Sequence, residues 1–181
     1  MAEPAAIQDL VEKMALERGR LLAQIDPLDE ESAARLPTGK TGEEEWSIKE
    51  QLVHLRQMER SYDAWVAACL RQVDPELGSI RPEPAPVALQ DANQHPVREL
   101  LAGLASEREY TLAVISRLSP DDYDRTGTHP NFGRLTVLQW LRSFYRHDRM
   151  HRDQIAGREP DYKPRFLNGV EPDQRVPRRE S

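Results

Sequence analysis

The sequence predicts an all-α protein, a four-helix bundle with long inter-helix connections, and three observations carry that prediction. Four segments repeat apolar residues with the 3.6-residue period of a core-facing helix. No segment of comparable length alternates apolar and polar residues as a half-buried strand does. Two of the four open on a capping-box pattern. There a hydroxyl side chain takes a free backbone N–H, and a Glu or Gln three residues on reaches back.

Ile7, Leu10, Val11, Met14, Leu21, Leu22 and Ile25 set the first helix over residues 5–25, and Pro27 breaks it. The stretch LDEESAARLP adds one short turn, with Asp29 as its cap. Ser47 with Glu50 opens the second helix; Ile48, Leu52, Leu55, Tyr62, Val66 and Cys69 form its stripe, which carries it to about residue 72. Residues 74–96 hold five prolines, each lacking an N–H and clashing with a preceding turn, so this is a long surface connection. The third helix follows Pro96, which suits a first helical position, and shows a face of Leu100, Leu101, Leu104, Thr111, Leu112, Ile115 and Leu118. SPDDYDRTGTHPNFG reads as a loop. Thr136 with Gln139 opens the fourth helix, which runs to about residue 156 and is stopped by Gly157 and Pro160. All three connections are long enough for crossovers, so a simple up-down-up-down order is not required.

Composition narrows the function classes. The 181 residues suffice for one core, expected over residues 1–157, followed by a proline- and charge-rich tail at 158–181. A formal charge of −6 argues against a nucleic-acid surface, which needs clustered Lys and Arg. No apolar run of about 18 residues is present to span a membrane. The N-terminal MAEPAAIQDL lacks the basic start and apolar block of a secretory signal, and the lone Cys69 has no internal disulfide partner, so a reducing cytoplasm is expected.

The stretch FYRHDRMHRDQI, residues 144–155, carries the chemistry. At about 100° per residue, Val137, Leu141, Phe144, His151 and Ile155 share an inward arc, with Asp148 near its centre and His147 and Trp140 at its edge. Two histidines four apart stand one turn from each other and can reach one metal ion. An H-x-x-x-H pair alone is equally a pair of hydrogen-bonded core-edge imidazoles. His54 in WSIKEQLVHL supplies a third candidate, on the flank of the second helix's stripe and able to face the fourth helix. Three neutral imidazoles would leave a coordination position open for water or substrate. Asp148 is open to three roles: an ion pair with an arginine of another helix, a carboxylate accepting the far N–H of a ligand histidine, or a fourth ligand. His95 and His129, each before a proline, read as solvated or capping. Arg56, Arg60, Arg146, Arg149 and Arg152 read as solvated faces, or as holders of an anionic substrate. Trp46, Trp65, Trp140 and Tyr145 read as core.

These residues carry a resemblance. WSIKEQLVHL resembles the second-helix motif of the DinB superfamily, the DinB/YfiT-like metalloenzymes, and RLTVLQWLRSFYRHDRMHRDQI resembles that family's last core helix. The resemblance covers residues 5–157. It implies a four-helix bundle in which His54, His147 and His151 bind a divalent metal ion, zinc or nickel. It also implies a homodimer and, in some relatives, transferase or isomerase chemistry with a low-molecular-weight thiol. Three readings follow. One is a metal-dependent enzyme, a thiol-dependent transferase or a hydrolase. The second is a non-catalytic metal-binding or ligand-sensing bundle, and the third a metal-free interaction bundle.

Overall fold

A computed structural model describes residues 2–40 and 42–160. Four long helices form a bundle: α1 (Pro4–Ile25), α3 (Ile48–Arg71), α4 (Val97–Ile115) and α5 (Val137–Ile155), with the single-turn α2 (Glu30–Ala34) after α1. The tail beyond residue 160 lies outside the described residues.

The local signals act as their chemistry dictates. Ser47 and Thr136 both close complete capping boxes, with Glu50 and Gln139. Asp29 accepts from the Ser32 N–H and starts α2. Pro4 occupies the first turn of α1, where its missing N–H costs nothing. Pro96 is instead the residue just before α4, extended at ψ 139°, so the helix begins one residue later than its sequence suggests. α4 ends at Ile115, and Leu118 joins the core from the following turn rather than from the helix face. Within the proline-rich connection a short 3-10 turn forms at Leu89–Gln94, in the stretch free of proline.

The segment read as a loop before α5 contains a hairpin, β1 (Thr126–His129) paired antiparallel with β2 (Gly133–Thr136). Strands of four residues are too short to show an alternating pattern. Gly133 takes φ +78°, a conformation that favours glycine, and closes the turn. The hairpin then runs straight into the capping box of α5.

Two apolar clusters fill the bundle, and their order along each helix fixes the topology. α1 passes from a cluster holding Leu10 and Met14 to a second holding Leu21 and Ile25. α5 runs the same way, from Val137 and Phe144 to Ile155. α3 runs oppositely, from Leu52 and Leu55 to Tyr62 and Val66, and so does α4, from Leu100 and Leu104 to Ile115. The order is therefore up, down, down, up, with the long connection returning the chain so that α3 and α4 lie parallel. α1 packs mainly on α5, and α3 packs on both α4 and α5.

Between the clusters lies a layer of charge, one residue from each long helix: Arg18, Glu59, Arg108 and Asp148, all buried. Arg18 grips Asp148 with two donors, Nε to Oδ2 at 3.1 Å and Nη2 to Oδ1 at 2.9 Å, and reaches Glu59 Oε2 at 2.7 Å. Arg108 donates to Glu59 Oε1 at 2.6 Å and Asp148 Oδ2 at 3.0 Å. Their remaining N–H groups cap the carbonyls of Leu104 and Met14. Two cations against two carboxylates leave the layer neutral. Burial alone would push the Asp148 carboxyl up; Arg18 and Arg108 outweigh it and hold it below the usual range. Among the described residues, no helix is long and apolar enough to cross a membrane.

Candidate metal centre

The histidine set sits directly beside this charged layer, on the turns of α3 and α5 that face each other. His54 lies on α3 and His147 and His151 on α5, and the fold brings all three together. His147 Nε2 stands 3.3 Å from His54 Nε2 and 3.0 Å from His151 Nε2. His147 and His151 are buried, while His54 keeps a partly open edge.

Second partners orient the rings. Gln51, one turn before His54, donates its Nε2 to the Trp46 carbonyl at 3.3 Å. Its Oε1 then faces His151 Nδ1 at 3.1 Å, so that nitrogen must carry the proton and donate. The lone pair of His151 is left on Nε2, aimed at the common point. Trp46 lies against His54 at 4.8 Å between ring centroids, restricting that imidazole. Burial keeps the set neutral: it pushes His54 down to about 4 and His147 to about 3, and holds His151 well below the usual histidine range.

Neutral imidazoles whose Nε2 atoms converge fit a cation. A tetrahedral ion with bonds of about 2.0–2.1 Å spaces its nitrogen ligands about 3.3–3.4 Å apart, within a few tenths of an ångström of the two separations here. A fourth group joins them: the four ligand atoms of Glu43, His54, His147 and His151 lie within 4.8 Å of one another. Glu43 sits on a 3-10 turn, Gly42–Glu45, and its Oε1 is 3.7 Å from His54 Nε2. Its carboxyl is half-buried, and burial pushes it up. Nothing in the acidic run GEEE singled out Glu43, because a run of acids ahead of a helix is ordinarily solvated.

Asp148 stands apart from this convergence. Of the roles open to it in the sequence, the structure gives it the ion pair with Arg18 and Arg108, and its carboxylate hydrogen-bonds guanidinium groups rather than imidazole. The burial of these charged residues, though not their pairing, was legible in principle. On each long helix a charged residue falls in phase with the apolar stripe, as Arg18 does between Met14 and Leu21.

Other expectations are corrected. His129 is neither solvated nor a helix cap: it is buried against Trp65, at 4.7 Å between ring centroids, and Phe132, and its Nδ1 accepts from the Asn131 N–H. His95 lies near Glu99, at 3.2 Å, on the surface. Arg56 and Arg60 both donate to Glu107, Arg152 pairs with Glu17 and Asp153, and Arg146 is fully buried, so these arginines are not simply solvated. Trp65, Trp140 and Tyr145 are core, whereas Trp46 is only half-buried.

A cavity of about 270 Å³ opens beside the centre. Leu36, Ile48 and Ile155 give it apolar walls, and none of the three histidines lines it. Trp46 and Gln51 line it on one side and touch His54 and His151 on the other, so they connect the two spaces.

The sequence profile of the DinB superfamily matches residues 13–155, which takes in every residue of the histidine set and most of the bundle. The chain belongs to the DinB superfamily. The chain is 30% identical over 130 residues to the uncharacterized protein YuaE of Bacillus subtilis (strain 168), a match covering 64% of this chain and 78% of YuaE. Its fold is similar to that of YfiT from Bacillus subtilis, described as a probable metal-dependent hydrolase with an unusual four-helix bundle topology. That likeness has a TM-score of 0.68 at 16% identity and covers 87% of each chain. It is also similar to TT2238, a four-helix bundle protein, with a TM-score of 0.60 at 21% identity over 83% of this chain and 98% of that one. At such identities the two structures establish the fold alone.

Proposed function

We propose that this chain is a metal-dependent enzyme whose centre is one divalent ion, zinc or nickel, held by His54, His147 and His151. The observation that carries the reading is the approach of His147 Nε2 to His151 Nε2 at 3.0 Å and to His54 Nε2 at 3.3 Å.

An ion held there supplies Lewis acidity, enough to acidify a thiol or a water near neutral pH. The chain's own groups do the rest. Gln51 fixes the His151 tautomer, Trp46 restricts His54, and burial keeps the rings uncharged at neutral pH. The adjoining cavity, with Leu36, Ile48 and Ile155 in its wall, is the space for the substrate's body. Hydrolysis of a small ester or amide is the reaction favoured by the likeness to YfiT, a probable metal-dependent hydrolase. Transfer to or from a low-molecular-weight thiol, with a homodimer as the assembly, is the alternative that family membership supports.

Elemental analysis of protein purified without a polyhistidine tag tests the centre. One equivalent of metal is expected in the native chain and none in His147→Ala. Metal-loaded protein is then assayed against simple esters and amides, and against small thiols with electrophiles; inactivity in both panels would defeat the enzymatic reading.

A further inference from the structure

We propose that Glu43 is a fourth protein ligand, which closes the ion's coordination sphere at rest and gives way when substrate binds. The inference rests on the three-histidine centre proposed above and changes its character. The centre is not open by default but latched by a carboxylate.

Three observations carry it. The first is position. Glu43 Oε1 stands 3.7 Å from His54 Nε2, and all four ligand atoms fall within 4.8 Å. The edge of a tetrahedral coordination shell is about 3.3–3.4 Å, so the carboxylate sits slightly outside ligand spacing from His54.

The second is charge. The buried layer beneath the histidines is already balanced, Arg18 and Arg108 against Glu59 and Asp148, so it offers a dication no net compensation. Glu43 belongs to the only group of three or more such acidic, thiol or imidazole side chains whose ligand atoms converge, among the described residues. Among the described residues, its carboxylate lies within ion-pair distance of His54. An ion held by the three imidazoles would give this half-buried carboxylate a cation to face.

The third is the carrier. His54, His147 and His151 stand on long helices, but Glu43 rides a four-residue turn entered through Gly42 at φ +64°, with Gly39 at φ +71° just before it. Both are left-handed conformations that favour glycine, and they aim the turn over His54. A ligand on a short turn can withdraw without disturbing the bundle. Withdrawal of Glu43 would leave its place to a substrate donor atom, an exchange that breaks no covalent bond and moves no electron.

Cobalt(II) loading tests the latch without reference to activity. The expected result is that Glu43→Ala binds cobalt at least about tenfold more weakly than the native chain, the scale of losing a supporting metal contact. Its visible spectrum should respond to azide at concentrations at least about tenfold lower. Glu45→Ala, an exposed neighbour on the same turn, should match the native chain in both measurements. Cobalt affinity and azide response within twofold of native in Glu43→Ala would overturn the latch while leaving the three-histidine centre standing. A native chain that takes up no cobalt would overturn both.

Discussion

Replacing Asp148 by Asn removes one charge from the layer that ties the four helices together. Asp148 is 1% exposed and accepts three hydrogen bonds from guanidinium groups, at 2.9, 3.0 and 3.1 Å. Asn keeps the shape but offers one acceptor, and its amide points N–H groups at cations. The layer goes from neutral to one uncompensated positive charge, since Glu59 alone then faces Arg18 and Arg108. Breaking a buried pair in this way costs about 3–5 kcal/mol. For a chain of this size that is about 6–20 °C in melting temperature, and it is a large part of a total stability of about 5–15 kcal/mol. The assay is thermal and urea unfolding of metal-stripped protein at pH 7, followed by circular dichroism. The double variant Arg18→Met/Asp148→Leu sharpens it, because it leaves Arg108 with Glu59 as a balanced pair and should cost less than its two single changes summed. A loss below about 1 kcal/mol in Asp148→Asn, or strict additivity in the double variant, would refute the argument that charge balance holds this layer. The pH dependence has a definite sign. Asp148's folded value lies below its unfolded one, so its contribution is complete above the ordinary carboxylate range and fades as acid takes the pH down through the folded value.

Further outcomes follow from the same structure. Metal-stripped protein should lose stability as pH falls below about 6.5, the unfolded histidine value, because His54 and His147 titrate near 4 and 3 when folded and only the unfolded chain gains the protons. Each contributes a slope of up to about 1.4 kcal/mol per pH unit, and a urea midpoint that is flat from pH 7 to 5 would contradict it. Asp63 works the other way. Burial pushes its carboxyl up to about 7, its Oδ1 has no partner, and Thr111 donates to its Oδ2, so folding favours its protonated form and its contribution is lost as pH rises through 7. Asp63→Asn should therefore stabilise the protein progressively more as pH rises from about 4 to about 7, which urea titrations at pH 4 and pH 8 would show. Gly127→Ala should destabilise by about 1–3 kcal/mol through overpacking, because a Cβ there would meet Cys69 Sγ at 2.6 Å and Leu77 at 2.9 Å. An unchanged melting temperature in that variant would mean the hairpin is free to lift off α3.

The sequence by itself determined the elements and the imidazoles. Apolar period and local capping are short-range properties, so four helices, two capping boxes and the two-helix histidine motif could be placed from residue order. The inward phase of His147 and His151 follows from the pitch of one helix alone. Three things needed the tertiary structure. The parallel pairing of α3 and α4 depends on where a 25-residue connection returns, counting residues 72–96 between Arg71 and Val97, and no local signal encodes that. The partners of Asp148 are Arg18 and Arg108, which lie 130 and 40 residues away, so ion pair and metal-supporting carboxylate could not be separated along the chain. Glu43 reaches the histidines only because two left-handed glycines turn an acidic run back over α3. Periodicity reports which face of an element is buried; what that face meets is decided by long-range packing.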